Sequence, residues 1–510
     1  MDSAPRRIVI VGGGTAGWMT AAALSRFLLS ASDKPNTVVT LVESDEIGTV
    51  GVGEATIPAI RVFNDALGID EADFVAATGA TFKLGIEFRN WSREGETYHH
   101  AFGLVGRGLG LLPFHHYWCR AEALGLAKPL GHYVLNKLVA EGNRFAHVTR
   151  SEGSALPPLP YAFHFDAGLY AAYLRRFAEA RGVTRIEGKL AAAERDGETG
   201  DIPAVVFGDG RRVEGDLFID CSGFRGFLIE GELAAGYDDW SRWLPADRAI
   251  AVPSARTEPL VSYTRATART AGWQWRIPLQ HRTGNGHVFC SAFTSEDEAC
   301  ETLLANLDGE QLAEPRTLRF TTGKRRRAFV GNVVAIGLSS GFIEPLESTS
   351  IHLIQTGVNR ILDLLPGGPI TDAVRDEYNR RFDFEMERLR DFIVLHYHAN
   401  QREGLPFWDH VRNMAIPDSL ARRIALFEDS GAILRDGDEL FDIPGWSQVM
   451  IGQNLRPRRT HPIAADVSEA GLSQFLGSLE RAYAADAARL PGHADYLRQF
   501  APMTTDGATP

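Results

Sequence analysis

The chain has 510 residues, 44% of them hydrophobic and 23% charged, and a formal net charge of -12. This composition is typical of a globular protein with two or three structural units, and the acidic balance argues against nucleic acid or an anionic membrane as the main partner. The 4 scattered cysteines lack zinc or disulfide spacing and no apolar run could span a bilayer, so we expect a cytoplasmic protein with reduced thiols and no metal.

The first predicted elements form a βαβ unit. Residues 7–11 are a largely β-branched run, as expected for a buried parallel strand, and residues 15–29 have apolar side chains at helical spacing. Residues 37–42 form the next strand, and Glu43 follows it. An acidic side chain at this place is suited to accept the ribose hydroxyls of a dinucleotide.

A glycine-rich turn joins the first strand to the helix. Gly12, Gly14 and Gly17 have the G-x-G-x-x-G spacing, which permits a tight turn, close approach of a pyrophosphate and packing of the helix on the sheet. Thr15 and Ala16 then stand at the helix start, where free amides stabilise phosphate. The motif predicts a dinucleotide site but does not separate FAD from NAD.

The later elements are read from the same patterns. They are a helix over 166–181, short strands over 205–207 and 216–220, a hairpin over 273–289 with 283–286 (Thr-Gly-Asn-Gly) as its turn, a strand over 331–337, and mainly helices from 351 to about 500 with loops near Pro406 and Pro457. We expect the basic run 324–327 to be a solvated strand edge, with a flavin or reductase contact as the alternative.

Two of these segments favour FAD over NAD. Residues 216–223 and 331–337 resemble the later flavin-contacting strands of flavin monooxygenase-like folds. The resemblance implies an α/β protein with a flavin monooxygenase-like FAD-binding fold, mixed sheets and a mainly helical carboxyl-terminal substrate region. Because a second strong glycine fingerprint is not evident, a separate protein is expected to reduce the flavin.

The expected domain organisation follows from this fold. Residues 1–400 would form the FAD-binding module, with interleaved substrate-site segments near 80–165 and 230–300. Residues 401–510 would form a mainly helical substrate-side subdomain that is integrated rather than independent.

A second fingerprint is the segment 272–278, Gly-Trp-Gln-Trp-Arg-Ile-Pro. Its Trp273-x-Trp275-x-Ile277-Pro278 pattern resembles the signature of the flavin-dependent halogenases, the tryptophan halogenase family, and the resemblance extends from about Arg7 to the helix after Ile351. It implies that Trp273 and Trp275 lie beside the isoalloxazine and hinder organic substrate from reaching it. Two core tryptophans in a hairpin are the simpler alternative.

The block 81–88, Thr-Phe-Lys-Leu-Gly-Ile-Glu-Phe, resembles the family segment that carries the essential lysine. The resemblance makes Lys83 the catalytic candidate, although a single lysine in an apolar strand is more often snorkelling or paired. An ammonium group in a dry site could hydrogen-bond hypohalous acid, or after deprotonation form a haloamine. The sequence leaves both mechanisms open.

The block 51–58, Gly-Val-Gly-Glu-Ala-Thr-Ile-Pro, resembles the flexible strap that covers the flavin in this family. Ala55 would contact the cofactor from this strap. Leu338 and Ile351, which flank the later block 341–350, would touch the flavin ring. Closely spaced glycines permit such a strap to rearrange, whereas a rigid surface turn is the plain alternative.

The third family block is 341–350, which contains two acids and ends in Ser-Thr-Ser. The resemblance assigns Glu347 to the acid facing the lysine, where it would orient the halogenating species or accept the ring proton, and leaves Glu344 as structural. The backbone amides of Thr349 and Ser350 match the halide site. Many tryptophan halogenases have glycine where this chain has Ser350.

His100-x-Phe102 resembles the pair that sandwiches the indole ring in tryptophan halogenases. Without that resemblance both would be ordinary core residues. The pairs 99–100 and 115–116 are consecutive histidines, but neighbouring strand residues point to opposite faces and neither pair makes a natural bidentate metal site.

The carboxyl-terminal segment departs from tryptophan-specific enzymes. Those enzymes hold the amino acid's charged groups with tyrosines and a glutamate, whereas residues 438–457 offer Phe441, Trp446 and Gln453 without a tyrosine pair. The resemblance therefore implies an FADH2-dependent halogenase that uses O2 with chloride or bromide and acts on indole or a substituted indole.

The family further implies that a separate reductase supplies FADH2 by diffusion, and we expect a monomer or a homodimer. A monooxygenase that hydroxylates an aromatic substrate and oxidises NAD(P)H itself is the alternative enzyme. A degenerate flavin-binding protein is the non-enzymatic alternative, against which Lys83 and Glu347 both argue.

Overall fold

The computed structural model describes residues 5–29, 36–46, 53–148 and 158–501. The chain divides into two compact units, and each unit is assembled from three separate stretches. The first unit comprises Met1–Ala80, Phe165–Ser241 and Phe320–Met386, and the second comprises Thr81–His164, Arg242–Arg319 and Glu387–Pro510. In the described part of the chain, no helix combines the length and apolar character needed to cross a membrane.

The regular elements of the described residues are the following. The strands are β1 (Arg6–Val11), β2 (Thr37–Glu43), β3 (Gly53–Ala55), β4 (Thr81–Lys83), β5 (Gly85–Arg89), β6 (Thr97–Ala101), β7 (Ala162–Asp166), β8 (Thr184–Glu187), β9 (Leu190–Glu194), β10 (Ala204–Phe207), β11 (Arg212–Glu214), β12 (Leu217–Asp220), β13 (Tyr237–Asp239), β14 (Arg248–Ala255), β15 (Thr264–Arg269), β16 (Gly272–Pro278), β17 (Arg282–Phe289), β18 (Arg316–Arg319), β19 (Gly323–Arg325), β20 (Phe329–Val330), β21 (Val333–Ala335) and β22 (Gly341–Phe342). The helices are α1 (Thr15–Leu28), α2 (Ala59–Leu67), α3 (Glu71–Thr78), α4 (Phe114–Ala123), α5 (Leu135–Glu141), α6 (Ala167–Glu179), α7 (Glu296–Leu304), α8 (Ser350–Leu364), α9 (Asp372–His398), α10 (Pro406–Asn413), α11 (Asp418–Ser430), α12 (Ile443–Gly452), α13 (Pro462–Ala465), α14 (Glu469–Arg489) and α15 (His493–Phe500), with 3₁₀ turns at Leu130–Tyr133, Gly223–Arg225, Gly337–Ser339 and Pro345–Glu347.

The first unit is built on a six-stranded sheet in the order β20-β21-β12-β1-β2-β8. Its neighbouring strands are parallel except for the β20–β21 pair at one edge. Val9, Val42, Phe218 and Val333 bury their side chains in its core, as expected for parallel strands covered on both faces. Helix α1 packs against α6 and α8. The prediction of an α/β fold is confirmed, and β1, β2, β12 and β21 fall within the predicted strand regions, whereas β8 and β20 were not predicted.

The second unit is built on a seven-stranded sheet in the order β18-β14-β17-β16-β15-β5-β6. Its pairs are antiparallel apart from β15 with β5. Helix α7 packs on this sheet through Ala299 and Leu303, which share a buried cluster with Ile250, Val252 and Phe289. Strand β4 lies beside β7 in antiparallel pairing and carries Lys83 at its end.

The hairpin of β16 and β17 differs from the sequence prediction. Its turn is formed by residues 279–281, where the Leu279 N–H donates to the Arg282 carbonyl at 2.9 Å, and the predicted turn 283–286 lies inside β17. A Cβ at Gly286 would lie 2.0 Å from the Trp275 indole on the paired strand. That glycine therefore makes room for a large ring instead of turning the chain.

The basic run 324–327 also differs from its prediction as a solvated edge. Lys324 and Arg325 are buried in β19, where Lys324 donates to Asp383 at 2.6 Å and Arg325 to Glu230 at 2.6 Å. The last two residues of the run are exposed. The prediction is wrong for the first half because acidic partners on other elements, distant in sequence, neutralise the buried charges.

Candidate active site

The glycine-rich loop of the first unit has the geometry of a phosphate cradle. Gly12 has a φ of 110° and a Cβ there would lie 2.4 Å from the Cys221 carbonyl oxygen, while a Cβ at Gly17 would lie 1.9 Å from the Gly12 oxygen. Gly14, at the N-cap of α1, has open space where its Cβ would be. The loop therefore leaves the helix amides accessible, and it fits the pyrophosphate of FAD.

Glu43 stands at the end of β2 beside this loop. One of its carboxylate oxygens lies 1.4 Å from where a Cβ of Gly13 would be, and the other accepts a hydrogen bond from Arg185. Arg175 is a second, more distant cation, at 3.9 Å. The position of Glu43 next to the loop suits the predicted contact with a ribose, and the hydrogen bond from Arg185 fixes the orientation of the Glu43 carboxylate.

The turn that carries Leu338 adjoins the same helix start. A Cβ at Gly337 would lie 2.9 Å from the Cβ of Ala16. The Ser339 hydroxyl donates to the Asp220 carbonyl, and the Ser339 carbonyl accepts from Arg325 Nε at 3.0 Å. The first unit thus places Gly337, the residue before the predicted flavin contact Leu338, against Ala16.

The block 341–350 ends at the start of α8. Glu347 is buried in the 3₁₀ turn Pro345–Glu347, Thr349 is the N-cap residue, and Ser350 is the first helical residue. The first amides of a helix have no partner within it, so this end of α8 suits an anion. Ile351 follows in the first turn and is buried.

The predicted strap is described in part. Gly53–Ala55 forms β3, in which Ala55 is buried, whereas Gly51 and Val52 lie outside the described residues. The role of the strap stays a prediction.

Helix α8 is locked in orientation by one buried acid of α9. Glu385 accepts hydrogen bonds from Arg360 at 2.6 Å and Thr356 at 2.9 Å, and lies 3.4 Å from His352. The Arg360 guanidinium and His352, together outweighing burial, lower the pKa of Glu385 to about 2. This ion pair fixes the helix whose start is the candidate halide site.

The depressed pKa of Glu385 predicts an acid-sensitive stability. The carboxylate stabilises the fold fully above its ordinary pKa of 4.5, and the contribution is lost as the pH falls toward about 2. Glu385→Gln should lower the free energy of unfolding by roughly 3 kcal/mol at pH 7, and the difference from wild type should shrink below pH 4.5. Urea titrations at several pH values measure this.

Glu377 on the same helix supplies the matched control. Arg380 and Arg381 lower its pKa to about 2 as well, but this acid lies at the surface. Glu377→Gln should change the unfolding free energy, and its dependence on pH, far less than Glu385→Gln does, because solvent screens an exposed ion pair. Equal losses in the two variants would contradict the assignment of the acid sensitivity to the buried pair.

Lys83, the predicted catalytic residue, lies in the second unit. Its side chain is fully buried at the end of β4, and its Nζ lies 5.3 Å from the centroid of the Phe102 ring. Nearby His164 bonds Thr81 at 3.0 Å and Thr264 at 2.9 Å, and burial together with the Lys83 charge holds its pKa well below the usual range. A buried ammonium over an aromatic face, beside a neutral imidazole, is a dry cationic site.

His100 lies in β6, and Phe102 directly follows the last residue of that strand. His100 pairs with Ile86 in the sheet and is buried, and its ring centroid lies 5.5 Å from that of Phe392. The Phe102 N–H donates to the Leu84 carbonyl at 2.9 Å. The structure thus places Lys83 near Phe102, while the role of His100 and Phe102 as the substrate pair stays a prediction. Lys83 and Glu347 belong to different units, and their facing arrangement also stays a prediction.

The two pairs of consecutive histidines, 99–100 and 115–116, lie in different kinds of secondary structure. His99 lies in β6, 3.8 Å from Glu87, and burial lowers its pKa to about 4. His115 and His116 are in helix α4 with ring centroids 4.3 Å apart, so the strand argument used for them is wrong. Across residues 5–29, 36–46, 53–148 and 158–501, no group of three or more His, Cys, Asp or Glu side chains is placed to hold a metal ion.

The two tryptophans of the signature lie in the core of the second unit. Trp273 and Trp275 are buried in β16 with ring centroids 6.1 Å apart, and Trp91 lies 6.3 Å from Trp273. Rigid aromatic packing of this kind suits a wall that keeps organic molecules away, and the place of the flavin beside it stays a prediction.

The carboxyl-terminal segment adds an aromatic wall that the sequence analysis did not identify. Phe441 stacks on Phe392 with centroids 3.8 Å apart and lies 5.7 Å from His100. Gln453 donates to the His396 carbonyl and to the Tyr98 hydroxyl, so its amide serves the fold. Phe392 gave no distinct signal, because one phenylalanine in a helix reads as an ordinary core residue.

Comparison with known proteins agrees with this geometry. The tryptophan halogenase family model matches residues 7–469. A flavin-dependent halogenase from Xanthomonas campestris has a TM-score of 0.94 and 49% identity, covering 98% of this chain and 99% of its own. A second, from Brevundimonas sp. BAL3, has a TM-score of 0.93 and 44% identity, with 97% and 99% covered.

Curated relatives are similar over most of their length. The tryptophan 7-halogenase RebH of Lentzea aerocolonigenes is 36% identical over 451 residues, which cover 84% of this chain and 82% of the relative. The resemblance inferred from the tryptophan signature and the lysine block is thereby confirmed. The chain belongs to the tryptophan halogenase family and is a flavin-dependent halogenase.

Proposed function

We propose that this enzyme uses FADH2, O2 and chloride or bromide to halogenate indole or a substituted indole. The observation that carries the proposal is the fully buried Lys83 with its Nζ 5.3 Å from the centroid of the Phe102 ring. An ammonium group held dry beside aromatic side chains can deliver an electrophile to a ring packed against them.

FAD would be held by the glycine loop, with Glu43 at the ribose and Leu338, Ile351 and Ala55 at the flavin ring. When bound in reduced form, the flavin supplies the oxygen chemistry that converts halide to hypohalous acid. Halide would be held at the start of α8 by the Thr349 and Ser350 amides, which are free of helical partners. A separate reductase would supply the FADH2.

Lys83 and Glu347 would carry the transfer to the substrate. Lys83 would polarise hypohalous acid by donating a hydrogen bond to it, or after losing a proton would bind the halogen as a haloamine. Glu347, a buried carboxylate, would orient the halogenating species or accept the proton that the substituted ring releases.

One assay separates this function from the alternative monooxygenase. The purified protein should bind FAD yet oxidise NAD(P)H negligibly by itself, because the glycine fingerprint provides one dinucleotide site. Addition of a flavin reductase with halide should yield halogenated product, detected by mass spectrometry. Rapid NAD(P)H oxidation without the reductase, together with a hydroxylated product, would favour the monooxygenase.

The substrate preference is a separate prediction. Free indole, or an apolar 3-substituted indole, should outcompete tryptophan, because residues 438–457 provide no tyrosine pair for the charged groups of the amino acid. Burying an ammonium and a carboxylate without partners costs several kcal/mol. Equal amounts of indole and tryptophan in one reaction, with products identified by NMR, measure the preference.

The ring carbon that is halogenated provides a second test of the substrate prediction. A ring held mainly by His100, Phe102 and apolar contacts should react at its intrinsically most reactive carbon, the indole 3-position when it is free. Preferred halogenation of tryptophan at one benzo-ring carbon would show that the pocket does clamp the amino acid, and would contradict the prediction.

A further inference from the structure

The loop between α11 and α12, residues 431–442, has neither helix nor strand. Residues 434–438 in its middle are exposed, whereas Glu439, directly after them, is only 3% exposed. Long irregular loops in compact domains are commonly functional, and a buried acid in one must have partners. This stretch, which we call the 431–442 loop, carries Phe441 near its end.

Arg423 of α11 holds the buried acid. Its two terminal nitrogens donate to the two carboxylate oxygens of Glu439 at 2.8 and 3.0 Å, and one of these oxygens also accepts from the Asp436 N–H at 2.9 Å. The same guanidinium lies 4.1 Å from the centre of the Trp446 ring in α12. Arg423 therefore contacts one residue before Phe441, Glu439, and one residue after it, Trp446.

Phe441 is the part of the loop that meets the substrate site. Its ring stacks on Phe392 at an interplanar angle of 15° and approaches His100. A Cβ at Gly445 would lie 3.1 Å from the ring Nε2 of His100 and 3.6 Å from the Cβ of Phe441. Of the residues beside His100, Phe441 and Gly445 thus lie between the two positions that Arg423 contacts, Glu439 and Trp446, whereas Phe392 belongs to α9.

We propose that Arg423 and Glu439 are positioning residues, whose ion pair fixes Phe441 beside His100 and so sets how tightly and in which orientation the aromatic substrate is held. The proposal rests on the proposed function, since it takes the His100 side as the substrate site. Bidentate Arg–carboxylate pairs define geometry well, and buried pairs often contribute more to a unique arrangement than to stability.

The test uses 3-methylindole, whose most reactive carbon is blocked. Intrinsic reactivity then favours carbon 2, so the share of product substituted on the benzo ring reports how the pocket orients the ring. Glu439→Gln keeps the shape of the acid and removes its charge, and Arg423→Lys keeps the charge and removes the planar fork. Asp429→Asn is the matched control, because it breaks the exposed pair that Asp429 of α11 makes with Arg459.

Three measurements are made on each full-length variant: calorimetric affinity for 3-methylindole, the isomer ratio of the products, and hypohalous acid caught by a scavenger. Glu439→Gln should weaken binding about tenfold and broaden the isomer ratio, with Arg423→Lys between it and wild type. Hypohalous acid formation should be unchanged, because the candidate flavin and halide residues belong to the first unit. Asp429→Asn should match wild type throughout.

The positioning role is overturned if Glu439→Gln and Arg423→Lys both keep the wild-type affinity and isomer ratio. It is also overturned if all three readouts fall together, which is the signature of a pair that only supports folding. Failure of the proposed function looks different: wild-type protein then makes no halogenated 3-methylindole, while the affinity comparison among the variants still decides the role of the pair.

Discussion

Replacement of Lys83 by alanine is expected to abolish halogenation of the aromatic substrate, by about three orders of magnitude or more, while hypohalous acid still forms. The lysine is fully buried at the end of β4 and belongs to the second unit, whereas the residues that would hold flavin and halide belong to the first. Organic product is measured by mass spectrometry in parallel with hypohalous acid trapped by a small scavenger.

Two further variants sharpen this experiment. Lys83→Arg keeps a cation that donates hydrogen bonds but does not lose its proton, so partial activity would favour hydrogen-bonded hypohalous acid over a haloamine. Lys137→Ala, which removes a largely buried lysine paired with Glu141 in the same unit, should leave product yield unchanged. Full yield from Lys83→Ala would remove this lysine from the mechanism.

The second large effect is expected at Gly286. Alanine there would place its Cβ 2.0 Å from the Trp275 ring, and both neighbours of β17 pair with this residue, through Ala251 on one side and Trp275 on the other. The indole or the strand must shift, at a cost of about 3 kcal/mol in unfolding free energy. Urea unfolding gives the stability, and near-ultraviolet circular dichroism reports the displaced tryptophan.

Gly197→Ala is the control for the effect of replacing any glycine by alanine. A Cβ at Gly197 meets open space, so its unfolding midpoint should equal that of wild type. If Gly286→Ala also unfolded at the wild-type midpoint with full activity, the conclusion that Trp275 of β16 packs closely against Gly286 of β17 would be contradicted.

Local patterns predicted much of the first unit. The strand, glycine turn and helix at its start form one short continuous segment, in which a Cβ at Gly17 would meet the backbone oxygen of Gly12; the carbonyl that restricts Gly12 itself belongs to the distant Cys221. The signature tryptophans and the lysine block were found for the same reason: each is a short continuous segment. The apolar residues around Lys83 by themselves suggested a snorkelling or paired lysine, and only the family resemblance pointed to a dry catalytic site.

Features that depend on distant partners were missed. Gly286 was assigned to a turn because glycine and asparagine favour turns, whereas its neighbour across the strand, Trp275, decides its role. Lys324 was placed in solvent because its partner Asp383 is remote in sequence. Arg423 and Glu439 sit on a helix and in an irregular loop, and no residue pattern links them.

The interleaved composition of the two units has a consequence for how the protein is made. In the first sheet β12 pairs with β21 at Val333–Ala335, and in the second sheet β14 pairs with β18 at Arg316–Arg319. Neither sheet can therefore be completed until more than 300 residues of the chain have been synthesised. Until those strands leave the ribosome, earlier strands have unpaired edges that can associate with other chains. Yield of folded enzyme should therefore depend strongly on chaperone supply and on a low temperature during expression.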